Sequence, residues 1–189
     1  MIRQMKNGFI IYGGIQMKYT LTSSEASKLL RKINEEKVMI LSHEEQTYKF
    51  NAAVGEDIEA IRPDYDYTEV SQELDKCDAK IRAIKHAINA FNTTTIVGDT
   101  GMTIDEVLVY LPQLSEKKNK LSAMQRRLPM QRASVVGSRT STIIDYTYIN
   151  YDLDAVKNDY IAVSDELRKI QTALDLVNTT VAFDIEIEE

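Results

Sequence analysis

The sequence predicts a mainly helical (α+β) fold, in which long antiparallel helices with a heptad pattern form a bundle or coiled coil. Several long segments repeat apolar residues every three or four positions, which is the spacing of one helix face. The 189 residues include no Trp, three Pro and seven Gly, a composition that suits long helices better than a loop-rich sandwich. Two segments rich in β-branched residues, 142–150 and 180–187, predict a small additional β-ribbon.

The first sixteen residues allow two interpretations. The codons for two adjacent glycines just upstream of Met17 can resemble a ribosome-binding site, so residues 1–16 are either translated leader or a short strand. The strand alternative rests on the apolar residues 9–12, which lie between glycines. Residues 17–189 are predicted to form a single helical domain.

The first predicted helix opens at Thr22, which forms a capping box with Glu25 that satisfies two backbone amides. Its predicted buried face consists of Ala26, Leu29, Leu30 and Ile33. The segment 44–66 has no sustained period, so we expect a long connection with a short strand at 48–50.

The second predicted helix has the clearest pattern, a strict alternation of four and three residues over three heptads. Its apolar positions are Val70, Leu74, Cys77, Ile81, Ile84, Ile88 and Phe91. This spacing is the seam of a coiled coil. Cys77 lies on the seam and is therefore predicted to be a small packed hydrophobe rather than a nucleophile. Residues 92–94 end the helix, and residues 98–101 form a turn.

A third helix is predicted to start at a second capping box, Thr103 with Glu106, and to be bent by Pro112, which has no amide donor. Its predicted inward residues are Val107, Leu111, Leu114, Leu121, Met124 and Leu128. The helix is expected to end by Pro129, and a polar loop then leads into the strand at 142–150.

The fourth predicted helix again keeps heptads. Its apolar positions are Leu153, Val156, Tyr160, Val163, Leu167, Ile170, Leu174 and Val177. Beyond it, apolar residues alternate with Ala182, Asp184 and Glu186, which predicts a half-buried strand.

The second and fourth helices also resemble each other. Their early residues match at an offset of 93, whereas their Asn-Thr-Thr ends, 92–94 and 178–180, match at an offset of 86. Either the second copy is a duplicate from which one heptad was removed, or two coiled coils match by chance.

The segment from Glu69 to Val177 resembles the septicolysin-like family of uncharacterised bacterial helical proteins. The motifs that carry the likeness are Ile88-Asn89-x-x-Asn92-x-Thr94, Gly101-Met102-Thr103-Ile104-x-Glu106-x-Leu108, Ser138-Arg139-Thr140-Ser141 and the helix from Asp152. The segment 44–66 and the C-terminal strand depart from the family pattern. The resemblance implies a fold much more than an activity.

Charge and cysteine content exclude several classes of protein. A net charge of −6 argues against binding of a nucleic acid polymer or an anionic membrane. One Cys and two His make a structural zinc site improbable, so neither a metal nor a cofactor is expected. The chain has no apolar run long enough to cross a membrane and is expected to be cytoplasmic.

We expect no enzymatic activity, because the sequence lacks the common catalytic and phosphate-binding motifs. It does contain a cluster of residues suited to an anionic ligand. The predicted ligand-binding residues are Arg126, Arg127, Arg132, Ser138, Arg139, Thr140, Ser141, Tyr146 and Tyr148, with Asn92 and Thr94 at the end of the second helix. Arginines form bidentate hydrogen bonds with phosphate, hydroxyls donate hydrogen bonds, and aromatic rings stack on bases. Alternatively, the arginines simply favour the C-terminal end of a helix, where the dipole attracts cations.

The predicted function is that of a non-catalytic homo-oligomer that holds a small phosphorylated, nucleotide-type ligand. A phage-type sponge that sequesters a nucleotide immune signal would have such properties. A structural or protein–protein interaction module that uses its coiled-coil seams is the first alternative. The second is a metal-dependent nucleotide hydrolase that uses Asp145 or Asp152.

Overall fold

A computed structural model of the protein describes residues 16–133 and 145–188, and it confirms the mainly helical (α+β) fold. The elements, in chain order, are β1 (Gln16–Thr22), α1 (Ser23–Thr47), α2 (Ile58–Ile61), α3 (Tyr67–Thr94), a one-turn 3-10 helix (Gly98–Thr100), α4 (Ile104–Gln125), β2 (Met130–Arg132), β3 (Tyr146–Tyr148), α5 (Leu153–Thr180) and β4 (Ala182–Glu188). The described residues form two compact units. Unit 1 comprises residues 16–92 and 178–188, and unit 2 comprises residues 93–133 and 145–177. The single domain expected over 17–189 stays a prediction.

The core of unit 1 lies between α1, α3 and an antiparallel ribbon of β1 and β4. Gln16 pairs with Glu188 at one end of the ribbon, and Thr22 pairs with Ala182 at the other. The buried cluster consists of Ala26, Ile33, Cys77, Ile81, Ile84, Ile185 and Ile187. Full burial of one such aliphatic side chain contributes about 1.5–3 kcal/mol. The predicted seam of α3 is thus packed inside unit 1 from Cys77 onward, and Cys77 is confirmed as a buried residue of this core.

Unit 2 contains α4, most of α5 and two short pairs of extended residues. β2 and β3 pair antiparallel, and Ile96 forms an isolated antiparallel bridge with Thr103. The buried residues of unit 2 are Val97, Ile104, Val107, Leu114, Leu121, Val156, Val163, Leu167, Ile170, Leu174 and Val177. The hydroxyl of Tyr110 on α4 donates to Glu166 on α5 at 2.7 Å. The hydrogen bond to the carboxylate of Glu166 raises the pKa of Tyr110, because it favours the protonated hydroxyl.

Local capping determines where the four long helices begin. Both predicted capping boxes are present, with Thr22 and Thr103 as the N-caps of α1 and α4. The other two long helices are capped by aspartates. Asp66 accepts from the first amides of α3, and Asp152 accepts from those of α5.

The two units place equivalent residues at equivalent positions. Helices α3 and α5 both have 28 residues, so one offset of 86 relates their starts as well as their ends. The equal helix lengths do not test the sequence match at an offset of 93, so the removal of one heptad stays a prediction. The same offset of 86 relates Ile96, which bridges to the N-cap of α4, to Ala182, which pairs with the N-cap of α1. The shared position of these bridges supports an internal duplication.

Several predicted details differ from the structure. Residues 48–50 form no strand, because α1 extends to Thr47 and the chain then turns without a ladder partner. Leu128 is 62% exposed rather than inward-facing, since it lies beyond the last residue of α4, Gln125. The two predicted strand segments have other partners among the described residues, because β3 pairs with β2 and β4 pairs with β1. The predictions for residues 1–15 and 142–144 lie outside the described residues.

Candidate functional site

A cleft of about 520 Å³ in unit 2 contains the most suitable group of predicted site residues. It lies between the C-terminal part of α4 and the segment that runs from β3 to the start of α5. The lining residues are Lys120, Ala123, Met124, Arg127, Leu128, Gln131, Thr147, Tyr148, Ile149, Asn150 and Tyr151. The cleft is therefore lined by four apolar residues, two cations and five uncharged residues that carry polar groups.

Helix α4 positions the two cations of the cleft. Lys120, Ala123, Met124 and Arg127 are spaced by three, one and three residues, so they follow one face of the helix and its last turn. The amide of Arg127 donates to the carbonyl of Met124 at 3.1 Å, which tightens this turn just beyond α4. Consequently, both positive charges border the same cleft.

Tyr151 fixes the opposite wall of the cleft. Its hydroxyl donates to the backbone carbonyl of Met124 at 2.7 Å, so this carbonyl near the end of α4 accepts from both Tyr151 and the amide of Arg127. The backbone amide of Ile149 donates to the carbonyl of Pro129 at 3.2 Å. These two bonds hold the segment after β3 against the end of α4.

The electrostatic character of the cleft is cationic. Among the described residues that line it, none carries a carboxylate. The surrounding segment 117–132 has six cations, no carboxylate and hence a net charge of +6. These cations are Lys117, Lys118, Lys120, Arg126, Arg127 and Arg132, and we call them the basic surface. Within the described parts of the chain, none of the six forms an ion pair.

The structure brings together some of the predicted site residues. Arg127 and Tyr148 line the same cleft. Arg132 lies directly opposite Tyr146 in the register of β2 and β3, which places the two on the same face of that ribbon. Arg126 is the C-cap of α4 and lies outside the cleft.

The other predicted site residues do not line this cleft. Asn92 and Thr94 belong to the end of α3, and neither is among the lining residues. The predicted positions Ser138, Arg139, Thr140 and Ser141 lie outside the described residues.

Sequence reasoning missed several polar residues of the cleft, among them Lys120, Gln131, Thr147 and Asn150. A signal for Lys120 was present, because it lies seven residues before Arg127 in a segment without carboxylates. The positions of Gln131 and Asn150 depend on the pairing of β2 with β3, which no local pattern indicated.

The described residues were also compared with the requirements of a metal site and of a membrane span. In residues 16–133 and 145–188, His, Cys, Asp and Glu side chains form no group of three that could hold a metal ion. Asp152, one of the two residues considered for metal-dependent hydrolysis, accepts from the amides of Asp154 and Ala155 as a helix cap. No helix among the described residues has the length and apolar character needed to span a membrane.

Comparison with known proteins gives a fold but no activity. A functionally unknown conserved protein from Corynebacterium diphtheriae has a similar crystal structure, with a TM-score of 0.54 and 16% sequence identity. The match covers 87% of this chain and 99% of that protein. At this identity the likeness shows the fold alone. No protein-family model and no curated protein matches the sequence, so the septicolysin-like resemblance stays a prediction.

Proposed function

We propose that this protein is a non-catalytic binding protein that holds a small phosphorylated ligand in the cleft of unit 2. The observation that carries the proposal is that Lys120 and Arg127 both line the cleft, whose described lining residues include no carboxylate. Lys120 and Arg127 form no ion pair with the described residues, and a concave site concentrates their positive potential, which favours an external anion. Arginine in particular matches the geometry of phosphate oxygens.

The dimensions and lining of the cleft favour a nucleotide-type ligand. Sites for small molecules commonly have volumes of about 300–1,000 Å³, and the cleft, at about 520 Å³, falls within this range. Tyr148 offers an aromatic face on which a base can stack, and it is 64% exposed. The amides of Gln131 and Asn150 provide both donors and acceptors for the edge of a base.

Binding without turnover would make the protein a reservoir or a sequestering agent for its ligand. A protein of this kind could act as a sponge that sequesters a nucleotide signal. Homo-oligomerisation was expected because the heptad stripes needed partners. From Cys77 onward, the seam of α3 packs inside unit 1, so this part of the stripe needs no partner from another chain. Val70 and Leu74, at the start of the seam, are half-buried and lie outside that core.

Calorimetry against a panel of cyclic and ADP-ribose-type nucleotides tests the proposal. We expect at least one member of the panel to bind the unmodified protein. The double variant Lys120→Gln, Arg127→Gln should weaken that binding by about tenfold or more, which corresponds to the loss of one charge-assisted contact. Lys117→Gln is the matched control, because Lys117 is an exposed cation of α4 that does not line the cleft.

Two results would overturn the proposal. One is the absence of binding to any phosphorylated compound in the panel. The other is an equal loss of affinity in Lys117→Gln and in the double variant, since this would assign binding to overall charge rather than to the cleft.

A further inference from the structure

The connections between paired helices occupy equivalent places in the two units. One connection joins α1 to α3, and the other joins α4 to α5. Each connection ends in a tyrosine followed by the capping aspartate, and the tyrosine contacts the preceding long helix. Tyr65 donates to the Glu44 carboxylate at 2.8 Å, and Tyr151 donates to the Met124 carbonyl at 2.7 Å. In both connections, a tyrosine hydroxyl thus donates a hydrogen bond to the preceding long helix, to a carboxylate in unit 1 and to a backbone carbonyl in unit 2.

The connection of unit 1 and its flanks are strongly acidic. Residues 44–69 contain eight carboxylates and two cations, which gives a net charge of −6. The carboxylates are Glu44, Glu45, Glu56, Asp57, Glu59, Asp64, Asp66 and Glu69, and we call them the acidic surface. Among the described residues, Glu59 is the member of this set that forms an ion pair, with Arg62 at 2.7 Å.

Apolar and aromatic side chains accompany both charged surfaces. Next to the acidic surface, the exposed side chains are Tyr48, Phe50, Val54, Ile58, Ile61 and Tyr67. Next to the basic surface, they are Leu128, Met130, Tyr146 and Tyr148. Exposed apolar groups bordered by charges are typical of sites where proteins associate.

An aromatic ring beside the acidic surface contacts a cation. The ammonium nitrogen of Lys49 lies over the ring of Tyr48, at 4.9 Å from its centroid. Tyr48 also borders a hollow of about 420 Å³ with Glu44, Glu45, Tyr65 and Tyr67. An incoming arginine would meet both carboxylates and aromatic faces in this hollow, and Arg stacks on aromatic rings as well as pairing with carboxylates.

We propose that the acidic surface of one copy of this protein binds the basic surface of a second copy. The charge complementarity carries the inference, because segment 44–69 has a net charge of −6 and segment 117–132 has a net charge of +6. Charges of opposite sign steer two such surfaces together, and the exposed apolar side chains around them become buried on contact. Because the two surfaces differ, the contact is heterologous, and repeated contacts form either a closed ring or an open chain.

Sedimentation velocity over a range of concentrations tests this inference on the full chain. We expect self-association at about 0.02 M salt that weakens strongly by about 0.5 M, where the screening length is only a few ångströms. The variant Glu45→Lys, Asp64→Lys should weaken association by at least tenfold. The variant Arg126→Glu, Arg132→Glu should do the same, and neither arginine lines the ligand cleft.

The decisive experiment is to mix the two charge-reversed variants and measure their association. The first variant keeps its basic surface and the second keeps its acidic surface, so the mixture should associate although each variant alone does not. Misfolding of either variant cannot produce this restoration. Controls with the same change in net charge are Glu35→Lys, Glu36→Lys on α1 and Lys157→Glu, Arg168→Glu on α5, which lie outside both surfaces.

A monomeric unmodified protein at low salt would overturn the inference. So would association that both reversed variants retain, a mixture that stays monomeric, or controls that weaken association as much as the surface variants do. The reversed variants preserve Lys120 and Arg127, so their nucleotide binding can be measured separately. Failure of the ligand proposal and failure of self-association are therefore distinguishable.

Discussion

At the scale of single residues, two carboxylates have a defined electrostatic role. Glu25 accepts from the backbone amide of Thr22 at 2.8 Å, and Glu106 accepts from that of Thr103 at 2.7 Å. These backbone hydrogen bonds, with those of the threonine hydroxyls, hold the pKa of each carboxyl below its ordinary value. The ionised forms are therefore favoured in the folded protein, and both long helices gain from them at their N-terminal ends.

This arrangement predicts a loss of stability in acid. Because the folded pKa values of Glu25 and Glu106 are lowered, their contribution is present above the unfolded pKa and is lost as the pH falls through the folded pKa. Chemical denaturation between about pH 5 and pH 3 should show a falling free energy of unfolding. The double variant Glu25→Gln, Glu106→Gln should flatten that decline, because glutamine still caps but does not titrate in this range.

Glu73→Gln is the matched control for this experiment, since it removes an exposed carboxylate of α3 that belongs to no cap. An unchanged pH slope in the double variant, or an equal change in the control, would contradict the assigned role of the capping boxes.

At the scale of elements, the ribbon of β1 and β4 completes the core of unit 1. Ile185 is 1% exposed, and the ring of Phe183 stacks on Phe91 with centroids 4.4 Å apart. On the opposite face of β4, Asp184 pairs with Lys18 at 2.8 Å in an exposed position. The inner face of the strand thus contributes packing, whereas the outer face contributes a surface ion pair.

Replacement of Ile185 by alanine should be costly. We expect Ile185→Ala to reduce the free energy of unfolding by about 2–5 kcal/mol, because it leaves a cavity in a closely packed core. The neighbouring Asp184→Asn should have a much smaller effect, because exposed ion pairs contribute little to stability. Urea denaturation of both variants measures the difference. Similar losses for the two would show that β4 does not pack as described.

At the scale of the whole molecule, the same order of helix caps and strand pairs occurs twice along the chain. A threonine cap begins one helix, an aspartate cap begins the next, and an extended residue after a 28-residue helix pairs with a threonine cap. In unit 2 the paired residues Ile96 and Thr103 are joined by a tight turn, in which Gly101 has a φ of 71°. In unit 1 the equivalent strands are β1 and β4, which are far apart in the sequence.

This equivalence predicts that the chain tolerates circular permutation. A permutant that begins at Thr100, ends at Asp99 and joins Glu189 to Met1 through a Gly-Ser linker should fold, because its new ends lie in the turn and its junction follows paired strands. Its far-UV circular dichroism should match that of the unmodified protein. A permutant opened within α3 at Ile84, which is fully buried, should fail to fold. Folding of the second permutant or failure of the first would contradict the equivalence.

Much of this architecture could be predicted because its signals are local. The caps at Thr22 and Thr103 and the heptads of α3 depend on residues three to seven positions apart, and the structure shows them as expected. By contrast, the strand predicted at 48–50 failed, because three suitable residues form no ladder without a partner. Arg127 and Tyr148 of the cleft were predicted from their chemistry, whereas Lys120 was overlooked although it lies on the same helix face.

The sequence by itself determined the helical class, the four long helices and the packing role of Cys77, because periodicity and capping act within a few turns of the chain. Only the tertiary structure decided that β4 pairs with β1, that one offset relates α3 to α5, and that Lys120, Arg127 and Tyr148 share a cleft. The physical reason is that strand pairing and cleft formation depend on segments distant in sequence. An alternating pattern indicates that a strand needs a partner, but it does not specify which one.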